Sequence, residues 1–408
     1  MNSKKFAHTS IPVLFISIAV FLLGALALTV PSGYTYGPVL LLLPALGYLL
    51  VRPYPVLTAQ DKILIAALLI YFAIGVATNL VHHLPSNSYD NFSRFLLAVP
   101  VLLLLLRFPV PPIFLWAGIA FGAIGAALVA IMDFYVHGEL RATGHNNAIQ
   151  FGDIAMLFAC LLLAGFSWAK QHSRLMIILF VLGAASGIFA SLLSGARGGW
   201  LALPFALGFF YIANDFHKNK KQSFIFVAAL VCLLAVVYQF QQSGFLQMRI
   251  QEAMSDLQQY TQVQNANTSL GIRFTLWHTG LNLVAQHPLV GWGSVANYVS
   301  ITGDSADIFQ RFNHFHNEIL DAMVKRGLVG GGALLAIYCL PAFVFYRQLQ
   351  QCAAQVKPLA LAGLMLVLAT LIFGLTQSFF SHSSGVMIYL FMLVILWAQV
   401  RAPTTASK

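Results

Sequence analysis

The sequence predicts an all-α polytopic membrane protein with about twelve transmembrane helices and one large, partly helical external loop. Composition is the first reason: 59% of the 408 residues are hydrophobic and 8% are charged, whereas soluble domains carry about 25% charged residues. The second is a succession of apolar runs, many of them near the roughly 20 residues that a helix needs to cross a bilayer. The third is a single long polar interruption from about residue 241 to residue 326.

Twelve apolar runs are candidates for membrane-spanning helices. The first follows a basic N-terminus; its Ala25-Leu26-Ala27 also fits the cleavage site of a signal peptide, but the many spans that follow favour a first transmembrane helix. The seventh and eighth are separated only by the glycine-rich stretch 195–199, which predicts a tight turn. The runs are 11–30, 36–51, 62–80, 93–107, 112–135, 148–169, 175–194, 198–214, 223–240, 328–346, 358–376 and 384–400.

The basic residues predict the orientation of the chain. If the N-terminus is cytoplasmic and the chain crosses twelve times, 14 of the 22 Lys and Arg residues fall on the cytoplasmic side, as the positive-inside rule requires. Both termini are then cytoplasmic and the long polar segment is external. We therefore expect one integral membrane domain, with helices 1–9 in residues 1–240, an external loop bearing catalytic residues in 241–327, and helices 10–12 in 328–408.

The external positive charges are mostly arginine. The cytoplasmic set contains nine Lys and five Arg, whereas the external set contains one Lys and seven Arg. Arginine offers a rigid fork of donors that clamps phosphate oxygens in two bonds, so this bias predicts an anion-binding site. Pairing with lipid headgroups or with nearby acids is the alternative. The external set is Arg94, Arg141, Arg197, Arg249, Arg273, Arg311, Lys325 and Arg326.

Two of these arginines stand in settings that favour anion binding. Arg197 lies among glycines, which allow a ligand to approach the backbone closely, and the N-terminus of the following helix favours negative charge at the same place. Arg273 lies on a segment whose apolar spacing predicts an amphipathic helix near the membrane. On such a helix Arg273 binds either a substrate anion or the phosphate of a lipid headgroup.

Two polar clusters at the mouths of external spans complete the set of candidates. Arg141 opens a stretch of donors suited to sugar hydroxyls or phosphate, although a polar loop that caps the next helix explains the same residues. His314 and His316 alternate with phenylalanine and precede Asn317. Histidine accepts a proton near neutral pH, so the pair predicts a functional site; structural hydrogen bonding is the alternative.

Several function classes are disfavoured by what the sequence contains. The formal net charge is +10, but the basic residues are scattered between spans, unlike the basic face of a nucleic-acid-binding domain. The four cysteines show no C-x-x-C spacing, and the histidine pair has no third ligand nearby, which disfavours zinc. No nucleotide- or flavin-binding loop is present, so we expect no metal and no cofactor.

Three motifs together resemble the O-antigen ligase family, within the superfamily of O-antigen ligases and polymerases of the bacterial inner membrane. The pair His316-Asn317, followed by Gly327 and Gly331, is similar to the ligase signature. The stretch 287–293, which follows Arg273, and the turn at 194–198 are similar to two further elements of the superfamily. Each motif is loose, but their order and their common side are specific.

The resemblance implies a metal-independent, inverting glycosyltransferase with a GT-C-like fold. It would move O-antigen from undecaprenyl pyrophosphate to a sugar hydroxyl of lipid A–core, among membrane lipids, at the periplasmic face of the inner membrane of a Gram-negative bacterium. His316 would be the general base, and Arg197 and Arg273 would bind the pyrophosphate. Weaker candidates for substrate contacts are Arg141, His314 and Asn317.

Other functions share some of these features. An O-antigen polymerase, or a transferase that moves a lipid-linked oligosaccharide onto protein, would use the same donor and differ only in its acceptor. A flippase or other transporter of lipid-linked glycans is the non-enzymatic alternative. Transporters place charged or broken helices near the middle of the membrane, whereas the polar residues here gather at one face, which disfavours transport.

Overall fold

The structure, a computed structural model, describes residues 11–51, 53–145, 147–221, 268–302 and 306–405, with a few single positions between 223 and 258. Within these residues the chain forms helices and short connections, with no β-strand. The α-helices are α1 (Ile11–Leu26), α2 (Tyr36–Tyr48), α3 (Ala59–Val81), α4 (Asp90–Arg107), α5 (Pro112–Ile131), α6 (Ala148–Ala164), α7 (Phe166–His172), α8 (Arg174–Ser194), α9 (Arg197–Trp200), α10 (Ala202–Ala213), α11 (Ser269–Gln286), α12 (Ala306–Arg311), α13 (Glu318–Gln351), α14 (Lys357–Gly374) and α15 (Ser383–Thr405).

The prediction of an all-α polytopic membrane protein is confirmed. Among the described residues, seven helices are long and apolar enough to cross a membrane, or eight if α6 and α7, bent by 52°, form one span. Eleven of the twelve predicted runs coincide with a helix, but α1, α2 and α10 contain only 16, 13 and 12 residues. The run at 223–240 and most of the polar segment before residue 268 lie outside the described residues.

Helices α14 and α15 form the centre of the bundle. In their most apolar stretches 78% of the residues of α14 and 94% of those of α15 are buried, whereas the other single-helix candidate spans bury between 33% and 56%. Apolar side chains on the outer helices are therefore available to contact lipid. Helices suit this environment because each one satisfies its own backbone hydrogen bonds.

A buried ion pair joins the start of α3 to the end of α15. Asp61 Oδ2 accepts a hydrogen bond from Arg401 at 2.9 Å, and its Oδ1 accepts one from Trp397 Nε1 at 2.8 Å. Thr58 and Asp61 also cap the first turn of α3 reciprocally. Buried charge is tolerated when it is paired and hydrogen-bonded. This cluster lies at the end of the bundle opposite to the predicted site.

Helix α13 is kinked at Gly327, which has φ +67°. The positive φ suits glycine, and a Cβ here would collide with the carbonyl of Leu289. The stretch 288–293 follows the kink through hydrogen bonds from Leu328 N to Pro288 O (2.7 Å) and from Gly293 N to Lys325 O (2.9 Å). The first turns of α13 are thereby held apart from its long apolar part.

A second, smaller hydrophobic core supports the polar region. Leu276 and Leu283 of α11 are buried, as their helical spacing predicts, against Phe315 and the first turns of α13. This arrangement turns the apolar face of α11 toward protein. The buried residues of this second core are Leu276, Leu283, Tyr298, Phe309, Phe315, Leu320 and Val324.

Candidate functional site

His316 stands on a strained backbone just before α13. Its φ of 49° lies in the left-handed region, which costs about 1–3 kcal/mol for a residue other than glycine. The neighbours hold this conformation: Trp277 Nε1 donates to Phe315 O at 3.0 Å, and Phe315 N donates to Asp321 Oδ1 at 3.2 Å. Because Phe315 is also fully buried, the imidazole after it is presented at a fixed place.

Gln377 sets the orientation of the His316 ring. The Nδ1–H of His316 donates to Gln377 Oε1 at 2.7 Å, so the lone pair of the neutral imidazole lies on Nε2. The Nε2 of Gln377 then lies 3.2 Å from His382 Nε2, to which it donates. The connection between α14 and α15 therefore fixes which nitrogen of His316 can accept a proton.

The histidines at this site are held neutral. Burial, opposed by the Gln377 hydrogen bond, lowers the pKa of His316 to about 4, with the charge of Arg273 acting in the same direction as burial. Burial and the adjacent His316 lower the pKa of His314 to about 3, and burial also lowers the pKa of His382. A neutral imidazole is the form that can act as a base.

Arg197 occupies the predicted tight turn. Helix α8 ends at Ser194 and is capped by Gly195, which has φ +65°, and Arg197 begins the four-residue helix α9. A side chain at Gly198 would collide with Thr376, beside Gln377, and one at Gly199 would collide with Asp153. The glycines thus let the turn pack directly against α6 and against the end of α14.

Arg141 supports this turn from the preceding loop. Its Nε donates to Ser194 O at 2.7 Å, and Ala142 N donates to Leu193 O at 3.1 Å. The charge of Arg141 also acts on the buried carboxyl of Asp153. Arg141 is therefore bound to the backbone just before Arg197, where it can orient the turn.

Arg273 brings a second positive charge to Arg197. Burial first, and then the charge of Arg197, lower the pKa of Arg273, while Asp256 and Asp153 oppose this shift. Two guanidinium groups that repel each other in a partly buried place favour a bound anion nearby. The positive charge of Arg273 also lowers the pKa of His316. The two arginines and the imidazole therefore interact electrostatically.

The remaining predicted residues have structural partners in this structure. The side-chain oxygen of Asn317 caps α13 by accepting from Leu320 N at 3.0 Å, as asparagine commonly does. His314 accepts from His316 N through Nδ1 at 3.3 Å. Substrate contacts by Asn317 and His314 stay predictions. Across the described residues there is no group of three or more His, Cys, Asp or Glu arranged to hold a metal ion.

Gln377 and His382 near His316 were not among the predicted site residues, whereas Asp153 belongs to the polar stretch that Arg141 opens. Gln377 and His382 lie in a short polar connection between two apolar runs, and Asp153 lies five residues into α6. The predicted topology places that connection on the external side, which is a signal that could have nominated Gln377 and His382. Both carboxylate oxygens of Asp153 lack a hydrogen-bond partner among the described residues.

The fold and site together define a polytopic membrane protein with a cationic, histidine-bearing site at one end of its helix bundle. Comparison with known families gives a match between residues 182–335 and the family described as O-antigen ligase. This range includes Arg197, Arg273 and His316 but excludes Arg141 and Gln377. The resemblance to the O-antigen ligase family is therefore confirmed.

Two curated relatives extend the comparison. An uncharacterized protein of Haemophilus influenzae is 29% identical over 383 residues, which cover 92% of this chain and 95% of that protein. An O-antigen ligase of Escherichia coli K12 is 28% identical over 180 residues, or 42% of each chain. The first relative covers nearly the whole chain. The second carries the functional name and, together with the family match, supports an O-antigen ligase-like function.

Proposed function

We propose that this protein transfers O-antigen polysaccharide from undecaprenyl pyrophosphate to a sugar hydroxyl of lipid A–core. The observation that carries the proposal is the neutral His316, with its Nε2 lone pair, beside the arginine pair Arg197 and Arg273. A glycosyl pyrophosphate is already activated. Its transfer requires charge stabilisation, positioning and one base, and these residues can supply all three.

The reaction follows from the roles of these groups. Arg197 and Arg273 bind the pyrophosphate, while His316 Nε2 accepts the proton of the acceptor hydroxyl. The hydroxyl oxygen forms a bond to the anomeric carbon. At the same time the bond between that carbon and the pyrophosphate oxygen breaks, and the electron pair of the broken bond leaves with the pyrophosphate. Direct displacement inverts the anomeric configuration, and it uses no metal and no cofactor.

The membrane arrangement completes the proposal. We place twelve spans in a GT-C-like fold in the inner membrane of a Gram-negative bacterium, with both termini in the cytoplasm. The site then faces the periplasm, where lipid-linked substrates enter between helices. The gathering of His316, Arg273 and Arg197 at one end of the bundle supports this placement. A transporter would instead need its polar groups near mid-membrane.

The deciding experiment offers the purified protein both substrates. The protein is incubated with undecaprenyl-pyrophosphate-linked glycan and rough lipopolysaccharide, and the products are separated by size and lipid content. We expect glycan on the lipid A–core, with equal rates in the presence of a chelator. Longer lipid-linked glycan would instead identify a polymerase, and glycan on an added acceptor protein would identify a protein transferase.

The acid limb of the pH dependence of kcat/KM is expected near pH 4. His316 acts as a base only when neutral, and its pKa of about 4 keeps it neutral above that pH. Activity should therefore persist below the ordinary histidine pKa of about 6.5 and fall as the pH approaches 4. Initial rates at saturating acceptor and low donor concentration measure the limb.

Folding must be followed in the same pH series. The folded-state pKa values of His314 and His316 lie below the ordinary value, so their contribution to stability is present above about pH 6.5 and is lost as the pH falls. Circular dichroism at each pH separates unfolding from protonation of the base. A limb at about 6.5 in a fully folded protein would contradict the lowered pKa of His316.

Replacement of Gln377 by leucine is expected to lower kcat about tenfold, the equivalent of one lost hydrogen bond of about 1.4 kcal/mol. The imidazole of His316 would lose the partner that fixes its tautomer. Because this hydrogen bond raises the pKa of His316, the acid limb should also move to lower pH. Gln350→Leu, on an exposed position at the far end of α13, is the matched control. An unchanged kcat with an unchanged limb would exclude the positioning role.

A further inference from the structure

A cavity of about 640 Å³, lined by both polar and apolar side chains, lies beside the segment that carries His316. Its walls come from the outer end of α3, the start of α4, the stretch 293–296, the first turns of α13 and residues 380–381. Asn313 and Glu318, which flank His316 in the sequence, both line it. The cavity is therefore adjacent to the base but separate from α9 and α11, which carry the arginine pair.

The lining has the chemistry of a sugar site. Amide and hydroxyl side chains line it, and the rings of Tyr71, Phe92, Phe95 and Phe380 form an apolar part of its wall. The charged residues of the lining are Glu318, Asp321, Lys325 and Arg326, so their formal charges cancel. Of its two cations, Lys325 is already paired with Asp321 at 2.9 Å, so the lining favours a hydroxyl-rich ligand over a pyrophosphate.

Two buried donors in the lining lack partners. Asn79 is 2% exposed and its Nδ2 makes no hydrogen bond to the described residues; the same holds for Nε of Arg326, which is 8% exposed. The guanidinium of Arg326 is nevertheless held in place by Tyr71, whose hydroxyl accepts from it at 3.2 Å, and by the ring of Phe92 at 5.1 Å. Buried donors are normally satisfied, so a ligand oxygen that reached either atom would supply a missing hydrogen bond.

The walls of the cavity are tied to the His316 segment. Glu318 Oε2 accepts from Phe380 N at 2.6 Å, and the carbonyl of Phe380 accepts from Asn91 Nδ2 at 3.1 Å. Asp321 pairs with Lys325 at 2.9 Å and also holds Phe315. A ligand in the cavity would thus be placed by the same residues that position the base.

We propose that this cavity binds the oligosaccharide whose hydroxyl accepts the transferred glycan. This assignment rests on the proposed function, in which the donor's pyrophosphate occupies Arg197 and Arg273. An inverting displacement brings the acceptor hydroxyl to the face of the anomeric carbon opposite the leaving group. The cavity belongs to elements other than those that carry the arginines, and the His316 segment forms one of its walls, as an acceptor site requires.

Filling the cavity tests the assignment. Ala296 lines it and is exposed, so Ala296→Trp blocks the space without disturbing a buried position. Ser300→Trp, on an exposed position outside the lining, is the matched control. The probe is the delipidated core oligosaccharide of rough lipopolysaccharide, titrated calorimetrically into the purified protein without donor. We expect binding to weaken about tenfold or more in Ala296→Trp and to be unchanged in Ser300→Trp.

Kinetics and a second variant extend the test. In the transfer reaction Ala296→Trp should raise the KM for the acceptor and leave the KM for the donor unchanged, and Asn79→Ala should weaken oligosaccharide binding in the same direction. An unchanged acceptor KM together with unchanged binding would overturn the proposal, as would a rise confined to the donor KM. The wild-type protein could also bind the oligosaccharide, lose that binding in Ala296→Trp, and yet transfer no glycan. That result would support the sugar site and refute the proposed function.

Discussion

Replacement of His316 by alanine is expected to lower the rate of glycan transfer by about 10²- to 10⁴-fold, the range that one general base contributes. The side chain of His316 is the predicted base, and its Nε2 is the nitrogen left with a lone pair by the Gln377 hydrogen bond. The variant should still insert and fold, because the anchoring contacts of this segment come from Phe315 and Asn317. Transfer by the purified variant and the lipopolysaccharide of cells that express it measure the effect.

A matched histidine variant separates this effect from a general loss of charge or fold. His278 lies on an exposed face of α11, so His278→Ala should transfer glycan at the wild-type rate. Normal smooth lipopolysaccharide in cells whose only copy is His316→Ala would refute the general-base assignment. The activity of the His278→Ala variant shows whether the helix tolerates the loss of an imidazole.

Replacement of Arg197 by lysine is expected to lower kcat/KM by about 10- to 100-fold. Lysine keeps the positive charge but has no fork with which to hold two phosphate oxygens, and a charge-assisted hydrogen bond contributes about 1.5–3 kcal/mol. The neighbouring Arg273, whose pKa burial and Arg197 lower, cannot fill both positions. Initial rates over a range of donor concentrations measure the loss.

The control for this variant is an exposed arginine on the same side. Arg311 ends α12 and is exposed, so Arg311→Lys should have wild-type kinetics. Full activity of Arg197→Lys would mean that Arg197 anchors the turn to lipid headgroups and has no role in holding the pyrophosphate. A loss in Arg197→Lys that Arg311→Lys does not share supports a forked contact with the donor.

The candidate site was predictable in part because its motifs are local. Glycines around Arg197 predict a turn, and the alternation of His314, Phe315 and His316 before a long apolar run marks the mouth of a span. Each signal extends over a few residues, so the sequence displays it directly. The sequence also suggested that the arginines share one side, because the distribution of Lys and Arg between loops depends only on order along the chain.

Other parts of the site depend on contacts between distant segments. Gln377 lies 61 residues from His316, and only the packing of the helices brings them together. The two buried donors of the cavity, Asn79 and Arg326, come from α3 and α13 for the same reason. Hydropathy marks which segments cross the membrane, but it is nearly uniform along each apolar run and does not encode which helices become neighbours.

The sequence by itself determined the class of protein, the order of its apolar segments and the types of residue available for chemistry. The tertiary structure decided which nitrogen of His316 is free, which arginine shares a site with Arg197, and where a sugar-sized cavity opens. Composition and charge order are properties of the chain and can be read along it. The tautomer of His316, the pairing of Arg197 with Arg273 and the shape of the cavity each depend on side chains from several helices. They therefore arise only when α13, α14 and the helices around them are packed together.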